Sequence, residues 1–248
     1  WFLRKIERFN HLFLINESSA HLLYKKGIEH TTVTGDLRYD RVAEICKTAP
    51  ANPIIEQFKN SEKMVIGGSS WQPEEKILRA VSDFFPEQKI LVVPHDISKD
   101  HIREIRKLFK GRKCTTYSRA KDKKLEEYQV LIIDNIGMLA SAYQYADIAL
   151  VGGAFGRGLH NILEAATFGV PLYFGPNIKK FPEASDMVSK GLAYSINHHD
   201  EFIRAVDRIR LNEGKNQSGE VAAFMKGKQG AAASITQGLD EVHFADVS

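Results

Sequence analysis

Short apolar runs alternate along this chain with segments whose apolar positions recur every three to four residues. That alternation predicts βαβ units around a parallel sheet. Residues 11–16 and 31–34 read as strands flanking a helix near 18–26. The strongest unit begins with a strand over 63–66 that runs into Gly67-Gly68-Ser69-Ser70, after which Pro73 opens a helix carrying Ile77, Leu78 and Val81 on one face. A strand over 89–93 ends at Pro94. A helix over 98–109 follows, with Ile102, Ile105, Leu108 and Phe109 at helical spacing, then a strand near 113–117. Residues 118–127 are charged and read as a loop or a frayed helix. A buried strand over 130–133 stops at Asp134, a short helix follows Gly137, and a strand over 148–151 enters Gly152-Gly153. A helix from about 160 to 168, a strand over 170–174 and helices near 181–190 and 201–211 complete the unit. Residues 217–239 read as terminal helices. The pattern is that of an α/β fold, a Rossmann-like parallel sheet with helices on both faces.

Composition narrows the function classes. The 248 residues are 43% hydrophobic and 26% charged, an ordinary globular mixture that excludes disordered and collagen-like chains. The formal net charge of +3 is too small and too evenly spread to argue for nucleic acid, so no nucleic-acid partner is expected. Cys46 and Cys114 stand far apart without histidines at ligand spacing, which points to reduced thiols and neither a zinc site nor a disulfide framework. No run reaches the roughly 18 apolar residues of a spanning helix. The opening Trp1-Phe2-Leu3-Arg4-Lys5-Ile6-Glu7-Arg8-Phe9 has apolar and basic faces; it reads as a helix cut from a larger protein in preference to a membrane-surface segment.

In an open parallel sheet, ligands sit outside the carboxyl ends of the strands, so the loops after residues 66, 93, 133 and 151 should converge on one crevice. The last of these holds four glycines in seven residues, Gly152 to Gly158, and feeds a helix start at Asn161-Ile162-Leu163-Glu164. Glycines permit close backbone approach to an anion, and a helix start favours phosphate; the same glycines could simply make a tight connection. Glu164 suits the vicinal hydroxyls of a ribose, or favours its own helix start. Ser69 and Ser70 face the expected crevice as phosphate or sugar contacts, or cap the helix that Pro73 opens. His95 is an anion partner or a structural ring. Neither GxGxxG nor a Walker loop occurs, nor GxSxG, nor a DxD pair for a metal–diphosphate, and His198-His199-Asp200 reads as a polar loop before a helix.

Taken together these loops resemble the C-terminal half of the 3-deoxy-D-manno-octulosonate (Kdo) transferases of lipopolysaccharide synthesis, glycosyltransferases of the two-Rossmann-domain B type. The resemblance runs from about residue 13 to 209. It is carried by Gly35-Asp36-Leu37-Arg38-Tyr39-Asp40-Arg41-Val42, Gly67-Gly68-Ser69-Ser70-Trp71, Asp134-Asn135-Ile136-Gly137-Met138-Leu139, Gly152-Gly153, His160-Asn161-Ile162-Leu163-Glu164, Phe174-Gly175-Pro176 and Phe181-Pro182-Glu183-Ala184. It implies that this half holds the cytidine nucleotide of CMP-Kdo without a metal or other cofactor. Ser69 and Ser70 would lie at the donor, Ile136, Gly137 and Met138 by the nucleoside, Gly153 and Asn161 at the phosphate, and Glu164 at the ribose. The family commonly shows Arg-His after the proline of the second strand. This sequence has Pro94-His95-Asp96, so Arg157 becomes the alternative source of charge.

The resemblance also implies a preceding acceptor half that carries the catalytic carboxylate and the membrane-associating surface, binds a lipid A precursor and works at the cytoplasmic side of the bacterial inner membrane. Domain bounds on this reading are 1–34 for the end of that half and a linker, 35–210 for the donor-nucleotide domain, and 211–248 for C-terminal helices packing back on it. The fragment alone is expected to be soluble, to bind nucleotide and not to transfer sugar. The rival readings are half of a UDP-GlcNAc-type epimerase and a non-catalytic sugar-nucleotide module.

Overall fold

The computed structural model describes residues 2–156, 158–212 and 217–245. Two compact units divide the chain, one made of residues 1–44 and 223–248 and the other of residues 45–222. The first contains α1 (Phe2–Ile6), β1 (Leu12–Leu14), α2 (Glu17–Tyr24), β2 (Thr31–Val33) and most of α3 (Leu37–Thr48). Asn16 starts α2 by accepting the Ser19 amide at 2.9 Å, and β1 and β2 pair in parallel.

The larger unit continues with α4 (Pro53–Lys59), β3 (Met64–Ser70), α5 (Gln72–Phe84), β4 (Lys89–Pro94), α6 (Lys99–Leu108) and β5 (Cys114–Thr116). It goes on through β6 (Val130–Ile132), α7 (Leu139–Ala142), β7 (Ile148–Val151), α8 (Leu163–Thr167), β8 (Leu172–Phe174), α9 (Pro182–Ser189), β9 (Ala193–Ser195) and α10 (His199–Arg210). After it come α11 (Gln217–Gly227) and α12 (Ala231–Ala245). The segment 117–127 forms two 3₁₀ turns.

Where the resemblance implies domain bounds at 34/35 and 210/211, the contacts divide the chain at 44/45 and 222/223. Within the first unit the Asp40 carboxylate accepts the amides of Gly230 and Ala232, which ties the start of α12 to α3.

Seven parallel strands run in the order β5-β6-β4-β3-β7-β8-β9. From β3 the chain builds outward through β4 on one side and, from β7, outward through β8 and β9 on the other. The reversal opens the sheet's carboxyl edge between β3 and β7, where such folds place ligands. Ile66, Leu91, Leu131 and Leu150 have no exposed surface, and α5, α6 and α10 cover one face through Leu78, Val81, Ile105 and Phe202. Burying each such side chain is worth about 2 kcal/mol, so the central strands hold the loops at their ends rigidly in place. The amino end of the edge is fixed by Asp147, which takes the Lys59 ammonium at 2.6 Å and the Met64 amide at 2.9 Å.

Three elements had no counterpart in the apolar pattern: α3, α4 and β9. β9 is only three residues long, too short to show a period. α4 announces itself by capping chemistry instead, because Asn52 accepts the amides of Ile54 and Ile55 and Pro53 occupies the first turn. Two further expectations need correction. The helix expected from about 160 to 168 is confined to α8, since residues 158–161 are not helical. His198-His199-Asp200 is not a loop: His198 is the N-cap and the next two residues open α10, where Glu201 accepts the His198 amide at 2.9 Å.

Candidate functional site

Three of the four loops meet at the edge between β3 and β7. The Ser70 carbonyl accepts the His95 amide at 3.0 Å, and the Gly68 carbonyl accepts the Gly152 amide at 2.9 Å. Trp71 Nε1 donates to His160 Nε2 at 3.0 Å, which makes that nitrogen an acceptor and leaves the imidazole proton on Nδ1. His95 sits 4.4 Å from the His160 ring and 4.7 Å from Trp71, so one aromatic stack links the first, second and fourth loops. Burial, and then the neighbouring His95, hold His160 below the usual imidazole range.

The glycine loop differs from a bare amide cradle. Glu74, on the first turn of α5, is wholly buried and turns its carboxylate into the loop. It accepts the Trp71 amide at 3.0 Å and the Gly153 amide at 2.9 Å, with the Phe155 amide as a further donor. Burial pushes the Glu74 carboxyl up while these amides pull it down. The Gly153 amide expected to meet a phosphate is therefore held by the chain's own carboxylate. Gly153 matters for shape, because its φ is +94° and a Cβ there would lie 2.1 Å from the Gly158 carbonyl oxygen.

Ser69 and Ser70 part company. β3 breaks register with β4 between Gly68 and Ser70, and the irregularity puts Ser69 in the left-handed region at φ +48°. Ser69 stays half-buried at the edge. Ser70 is fully buried with its hydroxyl 3.4 Å from Glu75, so it does not face the crevice as expected. Glu75 in turn meets His101 at 2.9 Å.

At the start of α8, Asn161 Nδ2 donates to Glu164 at 3.0 Å and Asn161 Oδ1 accepts the Leu163 amide at 3.1 Å, so the pair forms one oriented polar rim. Below Gly68 lies Tyr143, wholly buried, its hydroxyl without a partner among the described residues. Burial first, and then the Glu164 charge, raise that phenol well above its usual range. No motif marked Tyr143 beforehand. Nor was Glu74 marked, although its place at the third position of the helix that Pro73 opens is the glutamate position of a capping box.

The third loop stands apart from the stack. Ile136 is 85% exposed, Gly137 turns at φ +86°, and Met138 immediately precedes α7. Asp134 binds Ser118 beyond β5, through the amide at 2.9 Å and the hydroxyl at 2.5 Å. Pro94 is buried, and Arg157 lies outside the described residues. No group of three or more His, Cys, Asp or Glu among the described residues could hold a metal.

No family model matches the chain. A 3-deoxy-D-manno-octulosonic acid transferase of Chlamydia trachomatis is 32% identical over 167 residues, covering 65% of this chain and 38% of that protein. The namesake from Chlamydia muridarum is 29% identical over 163 residues, 64% of this chain and 37% of the relative. The one from Rickettsia felis is 20% identical over 252 residues, 97% of this chain and 53% of the relative. Over part of their length the chain is similar to the 3-deoxy-D-manno-octulosonic acid transferases.

It spans from about a third to about half of these relatives' length. Among solved structures, the C-terminal CMP-Kdo binding domain of WaaA from Acinetobacter baumannii superposes with a TM-score of 0.58 at 19% identity, over 74% of this chain and 96% of that domain. A UDP-N-acetylglucosamine 2-epimerase gives 0.57 at 15% identity, over 87% of this chain and 56% of the other. Those likenesses establish the fold expected from the alternating pattern, a Rossmann-like α/β sheet. The curated relatives are transferases by name.

Proposed function

We propose that this chain is the donor half of a Kdo transferase and holds the cytidylate of CMP-Kdo at the carboxyl edge between β3 and β7. The sequence relation to the Kdo transferases carries this reading, and the oriented Asn161–Glu164 pair beside the crevice supports it. In this reading Glu164 accepts the vicinal ribose hydroxyls, Asn161 fixes its carboxylate, and Gly137 and Met138 border the nucleoside. Because Glu74 already holds the Gly153 amide, the phosphate is assigned to Ser69 and the start of α8. Donors preorganised there would stabilise the charge that grows on CMP as an acceptor hydroxyl displaces it from the anomeric carbon with inversion.

Transfer to a lipid A precursor is assigned to the acceptor half, together with the catalytic carboxylate, membrane association and a place at the cytoplasmic side of the inner membrane. No described helix of this chain is long and apolar enough to cross a membrane. Calorimetry with CMP and UDP tests the proposal. Saturable CMP binding, weakened about tenfold by Glu164→Ala, is expected. No heat with millimolar CMP overturns it, and so does a preference for UDP, which would favour the epimerase reading.

A further inference from the structure

A second concavity of about 520 Å³ opens at the carboxyl ends of β4, β5 and β6. It shares no lining residue with the Trp71–His95–His160 stack or the Asn161–Glu164 pair. Four cations surround it: Lys99, Arg103 and Arg106 from α6, and Arg119 from the 3₁₀ turn after β5. The spacing of the first three follows from helix geometry, because residues four and then three apart share a face, here the one flanked by buried Ile102.

Little within the chain balances these charges. Arg103 meets Asp100 at 2.7 Å. Among the described residues no carboxylate pairs with Lys99, Arg106 or Arg119. Asp134 is the acid in the lining, and Ser118 holds both of its oxygens. A concavity lined by four cations and one acid presents a focused positive field. Three of the cations are guanidiniums, whose planar donor forks match phosphate oxygens. The remaining lining is of a different kind: the Thr116 and Ser118 hydroxyls, the Asp134 carboxylate and the apolar edges of Ile97 and Ile102. Such groups suit the hydroxyls and the carbon face of a sugar.

We infer that this groove is a binding site for a sugar phosphate, separate from the nucleotide crevice, with Arg106 and Arg119 clasping the phosphate and Asp134 receiving sugar hydroxyls. The inference stands on the groove alone and does not require the CMP-Kdo reading. Calorimetric titration of the full chain with glucose 6-phosphate, inorganic phosphate and glucose tests it. Glucose 6-phosphate is expected to saturate in the millimolar range or below, inorganic phosphate to bind more weakly, and glucose to give no heat. The double variant R106A/R119A should weaken glucose 6-phosphate at least about tenfold while its thermal unfolding and its response to CMP stay those of the parent. Absence of binding overturns the inference, as does binding indifferent to the double variant. An equal loss of CMP affinity in that variant also overturns it, by making the groove part of the nucleotide site. If CMP fails to bind but glucose 6-phosphate binds through Arg106 and Arg119, the donor proposal falls and this one stands.

Discussion

Two places along one sheet edge look equally hospitable to an anion, yet they use their donors in opposite ways. The glycine loop after β7 has the sequence marks of a phosphate cradle, but Glu74 already receives the amides of Trp71 and Gly153. The groove after β5 and β6 carries no glycine motif, and three of its four cations have no carboxylate partner among the described residues. An anion site is therefore defined by donors that the fold has left unsatisfied, and glycine content does not report that.

The sharpest way to break the comparison is to disturb the packing of the glycine loop. A Cβ on Gly152 would lie 2.1 Å from the Ser69 carbonyl oxygen, a backbone atom in a strained loop that cannot swing aside. Gly152→Ala is expected to cost about 3 kcal/mol or more in urea unfolding, because the two loops must separate. A loss near zero would mean that the first and fourth loops are not locked together. The next effect in size tests Glu74. Truncation to alanine leaves buried amides unpaired, and the expected loss is about 2–3 kcal/mol. Glu74→Gln keeps an accepting oxygen and removes a charge that burial disfavours, so its loss should be less than half as large. Equal losses in the two variants would show that the charge, and not its acceptor oxygens, holds the loop.

Much of this was legible in the chain because the central strands are buried on both sides and so read as continuous apolar runs, as in Val130-Leu131-Ile132. The crevice was legible in outline, since a parallel sheet dictates where the loops after residues 66, 93, 133 and 151 must go, although the third of them stands apart from the other three. Partner choice was not. Whether the Gly153 amide faces water or Glu74 depends on how α5 leans on the loop, a tertiary fact without local signature. Ser70 was misread for a related reason: one irregular residue at Ser69 turns the next side chain inward. The basic groove escaped notice because Arg119 and Arg106 are distant in sequence, and an overall charge of +3 conceals a local excess.

The smallest expected effect separates the two places by pH. Trp71 donates to His160 Nε2, so protonating that ring breaks the bond and places a positive charge against the His95 ring. Burial and His95 lower the folded-state pKa of His160. The unfolded chain therefore takes up this proton first, and the stability tied to the neutral ring is complete above the ordinary histidine value of about 6.5 and lost as pH falls below it toward the folded pKa. His160→Gln retains an acceptor for the indole but does not titrate in this range. It should flatten the slope of unfolding free energy against pH below that value, which urea titrations at several pH values would reveal. The arginines of the groove stay charged throughout, so R106A/R119A should leave the slope as it is. If the glutamine variant keeps the parental slope, the aromatic stack is a packing feature whose protonation the fold tolerates, and the contrast between the two places rests on Glu74 alone.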